Sequence, residues 1–138
     1  MRMNPYLHFN GQCDAAFKFY EQCLGGKIIA KMTYRETPMA DKTPPEFLDK
    51  VVHARLMVGD HILMGSDAPP DHYRPMEGFS VTLNIDNPAD ADRTFQALAK
   101  NGTVRMEIQE TFWARRFGML VDQFGTPWMI NCEKAVSA

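Results

Sequence analysis

The stretch Tyr6-Leu7-His8-Phe9-Asn10-Gly11-Gln12-Cys13-Asp14-Ala15-Ala16-Phe17-Lys18-Phe19-Tyr20-Glu21-Gln22-Cys23-Leu24-Gly25-Gly26 decides the fold, because it reads as a strand followed by a helix. Over residues 4–9 the apolar side chains alternate, with Leu7 and Phe9 on one face, as in a half-buried strand. Ala15, Ala16, Phe19, Tyr20, Cys23 and Leu24 then form a stripe at helical spacing. Gly25-Gly26 stops the helix, since glycine tolerates the left-handed backbone that follows a last turn.

The chain writes this unit twice. Phe9, Phe19 and Gly26 recur as Ile85, Phe95 and Gly102 at a constant offset of 76 (85 − 9, 95 − 19, 102 − 26). Ala15 and Cys23 map onto Ala91 and Ala99, and Tyr6-Leu7-His8-Phe9-Asn10 stands opposite Thr82-Leu83-Asn84-Ile85-Asp86. In the second copy Asn87 is placed to cap the helix, Pro88 suits its first position and Asp90 adds favourable charge to its first turn. Ala91, Phe95, Leu98 and Ala99 form the buried stripe, and Asn101-Gly102 ends it.

Three strands are predicted after each helix, at residues 27–35, 50–58 and 61–67, then at 103–109, 116–122 and 127–133. Gly59-Asp60 marks a tight turn. Further turns fall near Ala114 and at Phe124-Gly125-Thr126. The loop at 36–49 is rich in Pro and charge, and the loop at 68–77, with Pro69-Pro70 and Pro75, is the expected joint. The fold class is α+β: two βαβββ modules, about 1–68 and about 77–135, forming a curved mixed sheet with a central cup and helices on the outer face, in one domain over 1–138.

Strand parity assigns the faces. Phe79, Val81, Leu83 and Ile85 are expected toward the helix, with Ser80, Thr82 and Asn84 toward the cup. By the repeat, Asn4, Tyr6 and His8 face the cup too. Trp128, Ile130 and Cys132 belong under the helix, which sends Met129 and Asn131 inward, with Leu63 and Asp67 on the matching strand of the first half. A cup lined by mixed polar and apolar groups suits a small-molecule ligand.

Composition excludes several functions. Hydrophobic residues are 45% of the chain and charged residues 23%, with a formal net charge of -2. Such a chain has no general attraction for phosphate backbones or anionic membrane, and Arg115-Arg116 is its one adjacent basic pair. Neither nucleic acid nor a membrane is an expected partner. No apolar run approaches the roughly 18 residues of a membrane span, and the first residues lack a secretory apolar core. A cytoplasmic location is expected. Cys13, Cys23 and Cys132 form no close-spaced metal pair. The first two lie about 15 Å apart on one helix, too far to bridge, so buried free thiols are expected.

Three further stretches extend the pattern over nearly the whole chain. One runs from Pro5-Tyr6-Leu7-His8-Phe9-Asn10-Gly11 to Phe19-Tyr20 and Leu24-Gly25-Gly26. The second pairs Val52-His53-Ala54-Arg55-Leu56 with Leu63-Met64-Gly65-Ser66-Asp67. The third runs from Gln109-Glu110-Thr111-Phe112-Trp113 through Arg116-Phe117-Gly118 to Asp122-Gln123-Phe124-Gly125-Thr126-Pro127-Trp128. Together they resemble the vicinal oxygen chelate superfamily of glyoxalases, bleomycin-resistance proteins and extradiol dioxygenases, and within it the PhnB-like branch. The resemblance implies paired βαβββ modules and, commonly, a homodimer. A ubiquinone-pathway methyltransferase activity, attributed to some members, finds no support here: Leu24-Gly25-Gly26 ends a helix, whereas an adenosyl donor wants a Gly-rich turn that opens one.

Glyoxalase-like relatives hold a divalent ion with His and Glu side chains, two from each module. The corresponding positions here are Asn4, Leu63, Ser80 and Met129, none of them a ligand for a hard or borderline cation. The resemblance therefore implies no metal of the usual kind, and no cofactor is expected. Catalytic candidates are His8, His53 and Asp67. A histidine with an ordinary pKa of about 6.5 is a ready proton carrier, whereas Asp67 either accepts a proton or caps the loop at Ala68-Pro69. The face of His53 and Arg55 stays open. Substrate-binding candidates are Tyr6, His8, Ser80, Gln109, Trp113, Arg116 and Asn131. Trp113 walls the pocket or packs on a second subunit, and Arg116 clamps an anion or pairs with Asp122. His61 and His72 read as surface residues.

The sequence thus leads to a metal-independent member that binds a small organic molecule in the cup, whether it transforms or merely sequesters it. The alternative is a metal-dependent lyase, isomerase or dioxygenase with an atypical site at His8, His53 and Asp67.

Overall fold

The computed structural model of the protein describes residues 1–134, and in it the opening stretch forms strand β1 (Tyr6–Phe9) and helix α1 (Cys13–Leu24). Gly25 ends the helix in the left-handed conformation at φ 68°, and its amide closes on the Glu21 carbonyl. Gly26 follows where a Cβ would lie 2.7 Å from the Met57 carbonyl oxygen, so only glycine fits. Strands β2 (Lys27–Thr33), β3 (Val51–Val58) and β4 (His61–Asp67) complete a βαβββ unit. Its sheet order is β1-β4-β3-β2, with β1 parallel to β4 and the other pairs antiparallel.

The second unit repeats the plan with β5 (Val81–Asn84), α2 (Pro88–Ala99), β6 (Thr103–Gln109), β7 (Ala114–Val121) and β8 (Pro127–Glu133), in sheet order β5-β8-β7-β6. Asn87 caps α2 by accepting the Asp90 amide at 3.1 Å, and Pro88 occupies its first turn. The chain divides into compact units between Pro75 and Met76, inside the 68–77 loop. The expected module end at 135 lies outside the described residues.

The offset of 76 holds at the helix stop and slips inside the helix. Asn101, the one non-glycine residue with positive φ among the described residues, matches Gly25, and a Cβ on Gly102 would lie 2.5 Å from the Val121 carbonyl oxygen, as Gly26 lies under Met57. The buried residues of α1, however, are Cys13, Ala16, Phe17 and Tyr20, against Ala91, Phe95 and Leu98 in α2. Ala16 and Tyr20 thus match Ala91 and Phe95 at an offset of 75 (91 − 16, 95 − 20). The connections from strand to helix, 10–12 and 85–87, are equally long, and the second unit has its extra residue after the helix, where 100–102 stand against 25–26. The expected stripe is corrected accordingly: Ala15 is exposed, Phe19, Cys23 and Leu24 are only half-buried, and Phe17 is in the core.

Each helix lies on one face of its own sheet. A Cβ on Gly65 of β4 would meet the Phe17 ring at 2.9 Å, and one on Gly118 of β7 would meet the Phe95 ring at 2.6 Å. Leu7, Phe9, Leu56, Phe17 and Tyr20 are almost wholly buried in the first core, as are Phe95, Leu98, Leu120, Trp128 and Ile130 in the second. Each such apolar side chain contributes about 1.5–3 kcal/mol by leaving water. Phe79 departs from expectation: it precedes β5 and is 46% exposed instead of lying under the helix.

The stretch Asp122–Trp128 is a turn built around a buried carboxylate. Asp122 Oδ1 accepts the Phe124 and Thr126 amides at 2.8 and 3.1 Å, and Oδ2 accepts Trp128 Nε1 at 2.8 Å. Gly125 supplies the positive φ of 91° that the turn requires. The Pro-rich segment after β2 is also ordered, as three short 3-10 turns (Tyr34–Glu36, Pro38–Lys42 and Pro45–Phe47), with Phe47 buried against the Tyr34 ring.

Candidate functional site

Strand register settles which side chains of the first sheet point away from α1. Gly65 faces the helix and pairs with Leu7 and Ala54, so their neighbours Tyr6, His8, His53, Arg55, Met64 and Ser66 share the opposite face. Ala30 and Met32 join them opposite Arg55 and His53. His53 and Arg55, whose face parity left open, are thereby placed beside Tyr6 and His8.

Tyr6 holds the centre of this face. Its hydroxyl lies 3.1 Å from His53 Nδ1, and its ring lies near both imidazoles, with centroids 5.1 Å from His8 and 5.7 Å from His53. When Nδ1 is bare the Tyr6 hydroxyl donates to it and His53 carries its proton on Nε2; when Nδ1 is protonated it donates to the hydroxyl oxygen. Either way the phenol fixes the ring, and the distal nitrogen is held ready to exchange a proton or a hydrogen bond with a bound molecule.

Beside His8 the surface sinks into a recess of about 300 Å³ lined by His8, Tyr34, Ser66, Ala68, Pro69 and His72, with Asp67 at its wall. The Tyr34 hydroxyl donates to the Asp67 carbonyl at 2.8 Å. Burial pushes that phenol above its ordinary value, with the Asp67 carboxylate and Tyr6 adding to the effect. Tyr34 and His72 were missed as site residues: β2 ends at Thr33, which removes Tyr34 from strand parity, and a loop histidine has no sequence signal that aims it at a recess.

Two expectations for β4 are corrected. Leu63 and Asp67 share the face of Gly65, toward α1, and are 6% and 1% exposed. The Asp67 carboxylate accepts the Cys13 amide through Oδ1 and the Val51 amide through Oδ2, both at 2.9 Å. It ties the start of α1 to the start of β3. Parity placed these two residues on the wrong face because the repeat equates β1 with β5 and carries no information on the register of β4. Among the described residues no three His, Cys, Asp or Glu side chains gather, so His8, His53 and Asp67 do not form the atypical chelate. The donor chemistry does not fit the divalent ion that the family implies. Burial also pushes the Cys13 thiol up, with the Asp67 and Asp14 carboxylates adding to it, which disfavours the reactive thiolate.

In the second sheet, Asn84, Asn131, Phe117 and Gln109 form one cross-strand row turned away from α2, and Thr82, Met129, Met119 and Met106 form the next. Asn131 Nδ2 donates to Asn84 Oδ1 at 3.0 Å, while the buried Asn131 Oδ1 has no protein partner. Trp113 is 46% exposed and meets the Phe117 ring edge-on at 5.2 Å, which brings it to the border of this face. Ser80 precedes β5 and is half-buried. Arg116 is corrected. Arg116 stands opposite the buried Cys132, two residues from Gly118 and so on the α2 side, where its Nε donates to Asp92 at 2.6 Å and Nη2 to the Ile108 carbonyl at 3.1 Å. Its ion-pair partner is not Asp122, whose carboxylate is taken up by its own turn.

These observations define a protein of two βαβββ modules, each with one sheet face left uncovered by its helix. The chain belongs to the Glyoxalase/Bleomycin resistance protein/Dioxygenase superfamily, which it matches over residues 2–130. It is 36% identical to Protein YjdN of Escherichia coli (strain K12), with 97% of each chain covered. Its structure is similar to that of protein PA1353 from Pseudomonas aeruginosa, at 45% identity and TM-score 0.89, covering 98% of this chain and 99% of that one. The fold also matches a PhnB protein from Bacillus cereus, at 21% identity and TM-score 0.80, covering 96% and 99%, in line with the PhnB-like resemblance of the sequence. No helix among the described residues is long and apolar enough to cross a membrane.

Proposed function

We propose that the protein binds a small organic molecule against the helix-free face of its first sheet, without the usual divalent chelate, as a cytoplasmic homodimer. The Tyr6–His53 contact beside His8 carries this reading: a fixed pair of proton-bearing groups on an open face next to a recess of about 300 Å³ is costly to leave idle. Hydrocarbon from Met32 and Met64 gives the same face a pliable apolar part. Membership of the superfamily supports the reading, and the mismatch of donor chemistry supports the metal-free part of it.

Native mass spectrometry of the full chain and a thermal-shift screen of metabolites test the proposal. A bound compound raises the melting midpoint, and Tyr6→Phe and His53→Ala each weaken it about tenfold, or about 1.4 kcal/mol. Hits indifferent to both substitutions would overturn the site. Binding abolished by a chelator and restored by an equimolar metal would overturn the metal-free reading. Light scattering on the eluted protein checks the dimer.

A further inference from the structure

At the other end of the first sheet, by the Gly59-Asp60 turn, lies a larger recess of about 540 Å³ lined by Arg2, Asn4, Arg55, Asp60, His61 and Ile62, along with Met3. It shares no lining residue with the recess at His8. The segment carrying Arg2 is tied to β4: Asn4 Nδ2 donates to the Ile62 carbonyl at 3.1 Å, and the Met64 amide donates to the Pro5 carbonyl at 3.1 Å. Arg55 stands on the sheet face turned away from α1, between Met64 and Ala30.

The guanidinium groups here differ from most others in the chain. Arg35 pairs with Asp49, Arg93 with Asp90 and Arg116 with Asp92, while Arg115 is spent on the Glu133 and Asp86 carbonyls. Arg2 and Arg55 have no hydrogen bond or ion pair among the described residues, although Asp60 borders the same recess. Two arginines and a histidine thus line the recess together with one exposed carboxylate, that of Asp60. An arginine fork matches the planar or tetrahedral oxygens of an anion in two parallel hydrogen bonds, and it stays charged at every physiological pH. No carboxylate side chain stands among the residues that share the open sheet face with Arg55.

We infer that this recess is an oxyanion subsite, in which Arg55 and Arg2 grip a phosphoryl or carboxylate group of a small molecule. The inference stands whether or not the recess at His8 is also occupied. The net charge of -2 and the lack of basic clusters direct it to a small anion and away from nucleic acid.

The test is a nuclear magnetic resonance titration of the full chain at low salt with inorganic phosphate, and in parallel with acetate. Either anion is expected to shift the backbone signals of Asp60, His61 and Ile62 and the Arg55 Nε–H signal, and to leave His72 unmoved. Response to both anions marks a general oxyanion site, and response to phosphate alone a phosphoryl site. Arg55→Met and, separately, Arg2→Met weaken the response about tenfold, whereas Asp60→Asn tightens it. The Arg55→Met melting midpoint, expected unchanged for an exposed side chain, confirms that the variant is folded. Shifts scattered elsewhere on the surface, or equal affinity in native and Arg55→Met protein, would overturn the inference.

Discussion

The face that the first sheet turns away from its helix carries Tyr6, His8, His53 and Arg55, whereas the corresponding face of the second carries Asn84, Asn131 and Gln109 among Met106, Met119, Met129 and Phe117. Strand order and connections are the same in both. The residues named on one face are a phenol, two imidazoles and a guanidinium, and those named on the other are amides, thioethers and a phenyl ring. A duplicated scaffold fixes where side chains stand, and the residues that no core contact constrains are free to differ. The helix-covered sides, by contrast, solve the same packing problems: a glycine beneath a phenylalanine ring, a glycine against a strand carbonyl, and a buried aspartate that collects amide protons.

Those aspartates give the largest expected effects. Asp122 accepts the Phe124 and Thr126 amides and the Trp128 indole N–H within its own turn, and Asp67 receives two amides from distant elements. Truncation leaves buried N–H groups unpaired, at about 1–3 kcal/mol for each group that water cannot reach. Asp122→Ala is therefore expected to lose about 4 kcal/mol and Asp67→Ala about 3 kcal/mol in denaturant melts. Equal losses would erase the difference between a local and a long-range anchor.

The paired glycines come next. Gly26→Ala and Gly102→Ala should each destabilise the protein by about 1–3 kcal/mol, the latter more because its Cβ would approach the carbonyl oxygen to 2.5 Å rather than 2.7 Å. A harmless Gly102→Ala would show that the two turns are not equivalent.

Ligand binding sharpens the contrast of the open faces. For a compound found in the screen, His53→Ala should weaken binding about tenfold and Gln109→Ala only about threefold, read by titration calorimetry. The reverse order would move the site to the second sheet.

The smallest effect concerns how each helix is strapped to its sheet. Asp14 reaches Lys31 of β2 in the first unit, at 2.7 Å, where Asp92 reaches Arg116 of β7 in the second. Hydrogen bonds from Lys31 and Lys18 hold the Asp14 carboxyl below its ordinary value. A depressed folded-state value stabilises the protein above the unfolded-state pKa of about 3.9, and the gain is lost as pH falls through the folded-state value. Asp14 is 43% exposed, so water screens the pair and Asp14→Asn should lose under about 1 kcal/mol at neutral pH. The difference from the native protein should vanish in acid melts; a gap that persists there would mean the pair is not its source.

Much of this was legible in the residues. The alternation at Leu7 and Phe9, the glycine stops and the run from Asp122 to Trp128 carried the two βαβββ modules and the family. Tyr6 and His8 could be placed by parity alone, because β1 is short and unbroken. Asp67 and Arg116 could not. The first depends on the register of β4 against β1, and the second on which face of β7 Gly118 turns to α2.

By itself, then, the sequence determined the order of elements, since periodicity and turn chemistry act over a few neighbouring residues. Only tertiary structure decided that His53 and Arg55 stand with Tyr6 while Asp67 and Arg116 turn to the helices. That choice is made by cross-strand register, where a slip of one residue exchanges every side chain between the two faces of a sheet.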